Sequence, residues 1–182
     1  MGKLSFDEFV EQEREKAESR KNSVNWEERK KFYLDQVDIL FHDVQKFLRE
    51  YQDIQITKEE VTIEEDYFGE YEVPVLHIQL YAKQATLIPA GTFLIGTPGR
   101  VDLVGDMEKK RIILTEKNES ILQGTSISCS WLDEGQKLEE IKKQEPEGRQ
   151  LVWKVIIDLP RMQLIDLNKD NFLNSLQEVL DA

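Results

Sequence analysis

Residues 26–51 read WEERKKFYLDQVDILFHDVQKFLREY, and their apolar side chains recur on a helical period. Tyr33, Val37, Leu40, Val44, Phe47 and Tyr51 follow one another at spacings of four and three, and Leu34, Phe41 and Leu48 lie one position further along. Three apolar positions in seven make a stripe wide enough to lie across a core, broader than the two-position seam of a coiled coil. Glu27 and Glu28 fall in the first turn, where negative charge meets the positive end of the helix dipole, and the run Asn22-Ser23-Val24-Asn25 supplies a cap. The stretch predicts a long amphipathic helix packed on a sheet.

Downstream the period changes from helical to alternating. Ile54, Ile56, Val61 and Ile63 precede a polar turn at residues 66–70; Leu76, Ile78, Leu80 and Ala82 then share one strand face, with Val75, His77, Gln79 and Tyr81 on the other. Pro89-Ala90-Gly91 separates Leu87-Ile88 from Phe93-Leu94-Ile95 and predicts a bend, bulge or break. Thr97-Pro98-Gly99-Arg100 fits a type II turn, Pro98 presetting its own φ and Gly99 accepting the positive φ that follows. Strands are expected at residues 101–104, 110–115 and 126–131, and Leu151, Trp153, Val155, Ile157 and Leu159 alternate until Pro160 stops the ladder.

Asn168 can cap a last helix that lines up Phe172, Leu173, Leu176, Val179 and Leu180. Strands in succession leave no room for parallel crossovers. The expected fold is therefore α+β: a long N-terminal helix and a short C-terminal helix on an antiparallel meander of about six to eight strands. At 182 residues, without internal repeats or a low-complexity linker, the chain 1–182 reads as one domain. Its first 22 residues are expected to form a polar, peripheral helix introduced by Ser5 and Glu8, and residues 133–149 a charged loop.

A net charge of −12 and a pI near 4.7 oppose contact with phosphate backbones, so nucleic acid is not an expected partner. The basic runs Arg29-Lys30-Lys31 and Lys109-Lys110-Arg111 are short and flanked by acids, which reads as solvated surface. No apolar stretch approaches the roughly 18 to 20 residues that span a bilayer, and Phe6 stands where a myristoylation signal needs Ser or Thr. The one cysteine, Cys129, cannot form an internal bridge, so a reducing compartment, the cytoplasm, is expected.

The segments Ile88 to Gly96 (IPAGTFLIG) and Gly99 to Gly105 (GRVDLVG) carry a PxGTxLIGxxGRVDLxG-like pattern. With Trp26 and Tyr51 bounding the helix and the closing run from Val152 to Leu173, they resemble an uncharacterised bacterial protein family of unknown function. The resemblance covers most of the chain and implies no activity, cofactor or catalytic residue. That family has a proline-rich stretch after its Trp-Lys strand, where this chain has Val155-Ile156-Ile157-Asp158-Leu159-Pro160.

Chemistry-bearing motifs are sparse. Only His42 and His77 exist, one on the helix and one on a strand, with no metal-ligand spacing between them. Cys129 alternates with Ile127 and Trp131 and reads as a small apolar core residue. No phosphate-loop, dinucleotide or nucleophile-elbow pattern occurs, and the acidic runs lack calcium-loop spacing. Arg100 and Asp102, two apart on a strand, point to one face and can pair. Together with His77 they are the candidate contacts for a partner or ligand.

No catalytic constellation and no cofactor is expected. The leading expectation is a small acidic, non-enzymatic protein-binding or adaptor module, working through the sheet face free of helices or through the polar first helix. The rival is a small-molecule binder or enzyme with a pocket between the long helix and the sheet, walled by Tyr33, Tyr81, Trp131 or Trp153. A homodimer is compatible with either.

Overall fold

The computed structural model describes residues 5–6, 9–12, 14, 26–65, 69–91, 97–119, 150–157 and 163–181. Helix α1, Trp26–Leu48, buries Tyr33, Val37, Leu40, Phe41, Val44 and Leu48, which is the predicted stripe. It ends three residues before Tyr51, whose N–H bonds the Leu48 carbonyl at 3.0 Å in the turn that follows. Tyr51 therefore leaves the helical face and is 41% exposed instead of extending the stripe.

Seven strands follow: β1 (Ile54–Glu65), β2 (Gly69–Leu80), β3 (Lys83–Gly91), β4 (Gly99–Val104), β5 (Lys109–Glu116), β6 (Leu151–Ile156) and β7 (Leu164–Asp166). They form one antiparallel sheet in sequence order, and helix α2 (Lys169–Asp181) closes the series. The α+β architecture is as the sequence predicts. Asn168 caps α2 as expected, its Oδ1 accepting the Asn171 N–H at 2.9 Å.

Register fixes which face meets the helices. Ile56 opposes Ile78, Leu76 opposes Leu87, Leu87 opposes Leu103, Val101 opposes Ile112, and Leu114 opposes Trp153. These side chains and the buried stripes of α1 and α2 form a single cluster. Each fully buried Leu, Val or Ile in it is worth about 1.5–3 kcal/mol of apolar transfer, so this one contact layer dominates the favourable side of folding. The opposite face carries His77, Thr86, Ile88, Arg100, Asp102, Arg111 and Lys154, and no described helix packs on it. Val75, Ile113, Thr115 and Lys154 are nonetheless buried there.

Two further local expectations change. The strand expected to run through Ala82 turns back at Tyr81-Ala82, so Leu80 pairs with Lys83 across a two-residue hairpin. Tyr81 takes φ 53°, a conformation normally left to Gly or Asn, which is why no turn signal marks it. Gly99 is not in a type II turn: its φ is not positive, and it opens β4. Its lack of a side chain serves the Tyr33 ring, because a Cβ there would lie 2.7 Å from Cδ2.

Pro89-Ala90-Gly91 is a bulge, with a register shift between Pro89 and Gly91 and a φ of 101° at Gly91. The Tyr33 hydroxyl repairs the ladder at that point, donating to the Arg100 carbonyl at 2.8 Å and accepting from the Gly91 N–H at 3.1 Å. Burial, the largest influence, holds this phenol far above its ordinary pKa, and the Glu65 carboxylate adds to it. The predicted strand at 126–131 with Cys129 and Trp131, the loop 133–149, Pro160, and most of the first helix lie outside the described residues.

Candidate functional site

The three residues singled out from the sequence share the sheet face turned away from the helices, but they do not converge. Arg100 Nε lies 3.0 Å from Asp102 Oδ1, and Lys109 Nζ lies 3.4 Å from Asp102 Oδ2. His77 belongs to another group, with Nε2 3.0 Å from Glu59 Oε1 and Nδ1 3.1 Å from Thr86 Oγ1. Register explains the separation: His77 opposes Thr86 on β3, whereas Asp102 opposes Ile88 on that strand and Arg111 on β5. A partly buried imidazole tied to a carboxylate and a hydroxyl, two strands from the Arg100–Asp102 pair, does not form a catalytic centre with it.

The second feature was not legible in the sequence. An open cleft of about 520 Å³ lies between α2 and the β2–β3 hairpin. Leu173, Leu176 and Leu180 of α2 face Ile54, Leu80 and Ala82, and Tyr51 and Tyr81 stand beside them. Leu176 is fully packed, while Leu173 and Leu180, from the same helical stripe, keep part of their surface open. The apolar face of α2 is thus wider than the sheet beneath it can cover.

Polar groups in and beside the cleft are paired. Lys83 Nζ bonds Asp181 Oδ1 at 2.8 Å and clasps the hairpin to the end of α2. That bond, with one from Gln177, holds the Asp181 carboxyl below its ordinary pKa. Lys169 pairs with Glu50 and sits 5.9 Å over the Tyr51 ring. Tyr81 is 73% exposed, and its hydroxyl is pushed above its ordinary pKa first by a hydrogen bond to Asp53. Gln79 Nε2 bonds the Tyr81 carbonyl at 3.1 Å, which steadies the turn.

Tyr81 is the one non-glycine residue at positive φ among the described residues, at a cost of about 1–2 kcal/mol. The two-residue hairpin that pairs Leu80 with Lys83 imposes that conformation. The expected pocket walls Tyr33 and Trp153 are instead core residues, Trp153 Nε1 donating to the Gln36 carbonyl at 3.2 Å.

No protein-family model matches the chain. Neither curated proteins nor solved structures yield a match. Among the described residues, no three His, Cys, Asp or Glu side chains come together to hold a metal ion, and no helix is long and apolar enough to cross a membrane.

Proposed function

We propose that this is a non-catalytic protein-binding module that seats an apolar side chain of its partner in the cleft between α2 and the β2–β3 hairpin. The observation that carries this reading is the cleft itself: about 520 Å³, apolar in its lining, and edged by two exposed tyrosines. Aromatic anchors around a desolvated apolar centre are the usual source of binding energy at protein interfaces. The Lys83–Asp181 and Lys169–Glu50 pairs supply a polar rim. The single cysteine and the acidic composition favour the cytoplasm as the place of action.

The test is a pull-down with the tagged full chain beside a Leu180→Arg variant. A specific partner that is captured by the parent and lost by the variant, while both melt alike, supports the reading. Equal capture by both, or no specific partner, overturns it.

A second reading has its own support, since 520 Å³ falls within the roughly 300–1,000 Å³ of small-molecule sites. A small apolar ligand would raise the melting temperature in a metabolite panel, and Leu180→Arg would abolish that rise.

A further inference from the structure

We propose that the sheet face around Asp102 is an oxyanion site that takes a phosphate monoester. The site is separate from the cleft. It draws on residues that the sequence divides between two motifs, Arg100 and Asp102 on β4 and the basic run Lys109-Lys110-Arg111 on β5.

Strand alternation splits the basic run. Lys110 turns toward the helices and pairs with Glu178 of α2. Lys109 and Arg111 turn to the other face, where Arg111 is the register partner of Asp102. Two cations, Arg100 and Lys109, thus contact one carboxylate and a third, Arg111, is its cross-strand neighbour by register, a local charge near +2 on a chain of net charge −12.

The carboxylate cannot serve all three. Its Oδ1 meets Arg100 Nε at 3.0 Å and its Oδ2 meets Lys109 Nζ at 3.4 Å. Arg100 Nη2 donates a long hydrogen bond to Oδ2 at 3.5 Å, but the Nε–Oδ1 approach lacks hydrogen-bond alignment, so the buried Nε and Oδ1 stay unsatisfied as hydrogen-bonding atoms. Arg111 is partly buried and has no hydrogen-bond or ion-pair partner among the described residues. A half-desolvated guanidinium beside two further cations is an incomplete arrangement.

Asp102, with its side chain only 10% exposed, fixes Arg100 and Lys109 in position, and Arg111 supplies the free planar fork. A dianion matches the excess charge, and a phosphate monoester carries about −1.5 to −2 at neutral pH. The acidity of the rest of the chain works against approach, but beyond about 8 Å it is largely screened at physiological salt, so the local cations decide at contact.

The test titrates the ¹⁵N-labelled full chain with phenyl phosphate, followed by amide shifts. Saturable shifts confined to β4 and β5 are expected. Arg111→Gln weakens binding by about tenfold or more, the usual loss for a charged hydrogen bond. Arg111→Lys keeps the charge and most of the binding, which separates loss of charge from loss of fold. Lys58→Gln, an equal change of charge on β1, leaves the curve as it was. A phosphoserine peptide run in parallel separates a phosphorylated protein from a free metabolite: tighter peptide binding assigns the protein, and equal binding assigns the metabolite. Shifts that never saturate, or an Arg111→Gln curve that matches the parent or the Lys58→Gln curve, overturn the site.

Discussion

The Tyr33 ring occupies the space that a side chain on Gly99 would need, since a Cβ there would lie 2.7 Å from Cδ2 and 2.8 Å from Cε2 of the ring. This contact sets the distance between α1 and the start of β4, because Tyr33 is fully buried and its ring cannot swing away. Gly99→Ala should therefore cost about 1–3 kcal/mol, the range for overpacking a filled core. Urea unfolding measures it, and in a double-mutant cycle with Tyr33→Leu the two losses should fall short of additivity.

The Tyr33 hydroxyl stands in for ladder bonds that the β3 bulge interrupts, linking the Gly91 N–H to the Arg100 carbonyl. Tyr33→Phe keeps the ring and leaves both backbone groups short of a partner in a buried place. The expected loss is about 1–3 kcal/mol. Hydrogen exchange should show the Gly91 amide losing protection by more than the global change in stability accounts for.

Tyr81 can be relieved of its backbone strain without disturbing the core. Tyr81→Gly should raise stability by up to about 1 kcal/mol, the relief of positive φ set against the extra freedom of glycine in the unfolded chain. Thermal melting checks the sign. The same change removes an aromatic from the cleft, so partner capture should weaken while stability rises.

Alkaline pH should unfold the protein in a way that traces to Tyr33. Burial raises its pKa far above the ordinary 10.0, so the folded chain keeps a proton that the unfolded chain releases. Its contribution is complete below about pH 10 and declines as pH rises further. Tyr71, raised by burial and by its hydrogen bond to Glu65, acts in the same direction. Tyr33→Phe should flatten the fall in stability between about pH 10 and 11.

The elements whose signals are local were legible in the chain. The stripe of α1 repeats on the pitch of its own helix, the strands alternate with their own pleat, and Asn168 caps α2 through atoms three residues away. The Arg100–Asp102 pair was readable for the same reason, since residues two apart on a strand share a face. Where a single residue type serves two purposes, the sequence misled: Gly99 suggested positive φ, but it leaves room for Tyr33. The hairpin at Tyr81-Ala82 left no trace, because the pairing of Leu80 with Lys83 imposes the turn on residues that do not favour it.

The cleft and the basic group around Asp102 belong wholly to the tertiary structure. One gathers Ile54, Leu80 and Leu180 from three distant stretches, and the other depends on the register of β4 against β5. A chain carries its hydrophobic periods and its caps in neighbouring residues, so the helices, strands and α+β class follow from it directly. Which side chains meet across strands, and which apolar surface stays uncovered, depends on how those elements fill space together, a many-body packing outcome that no local pattern encodes.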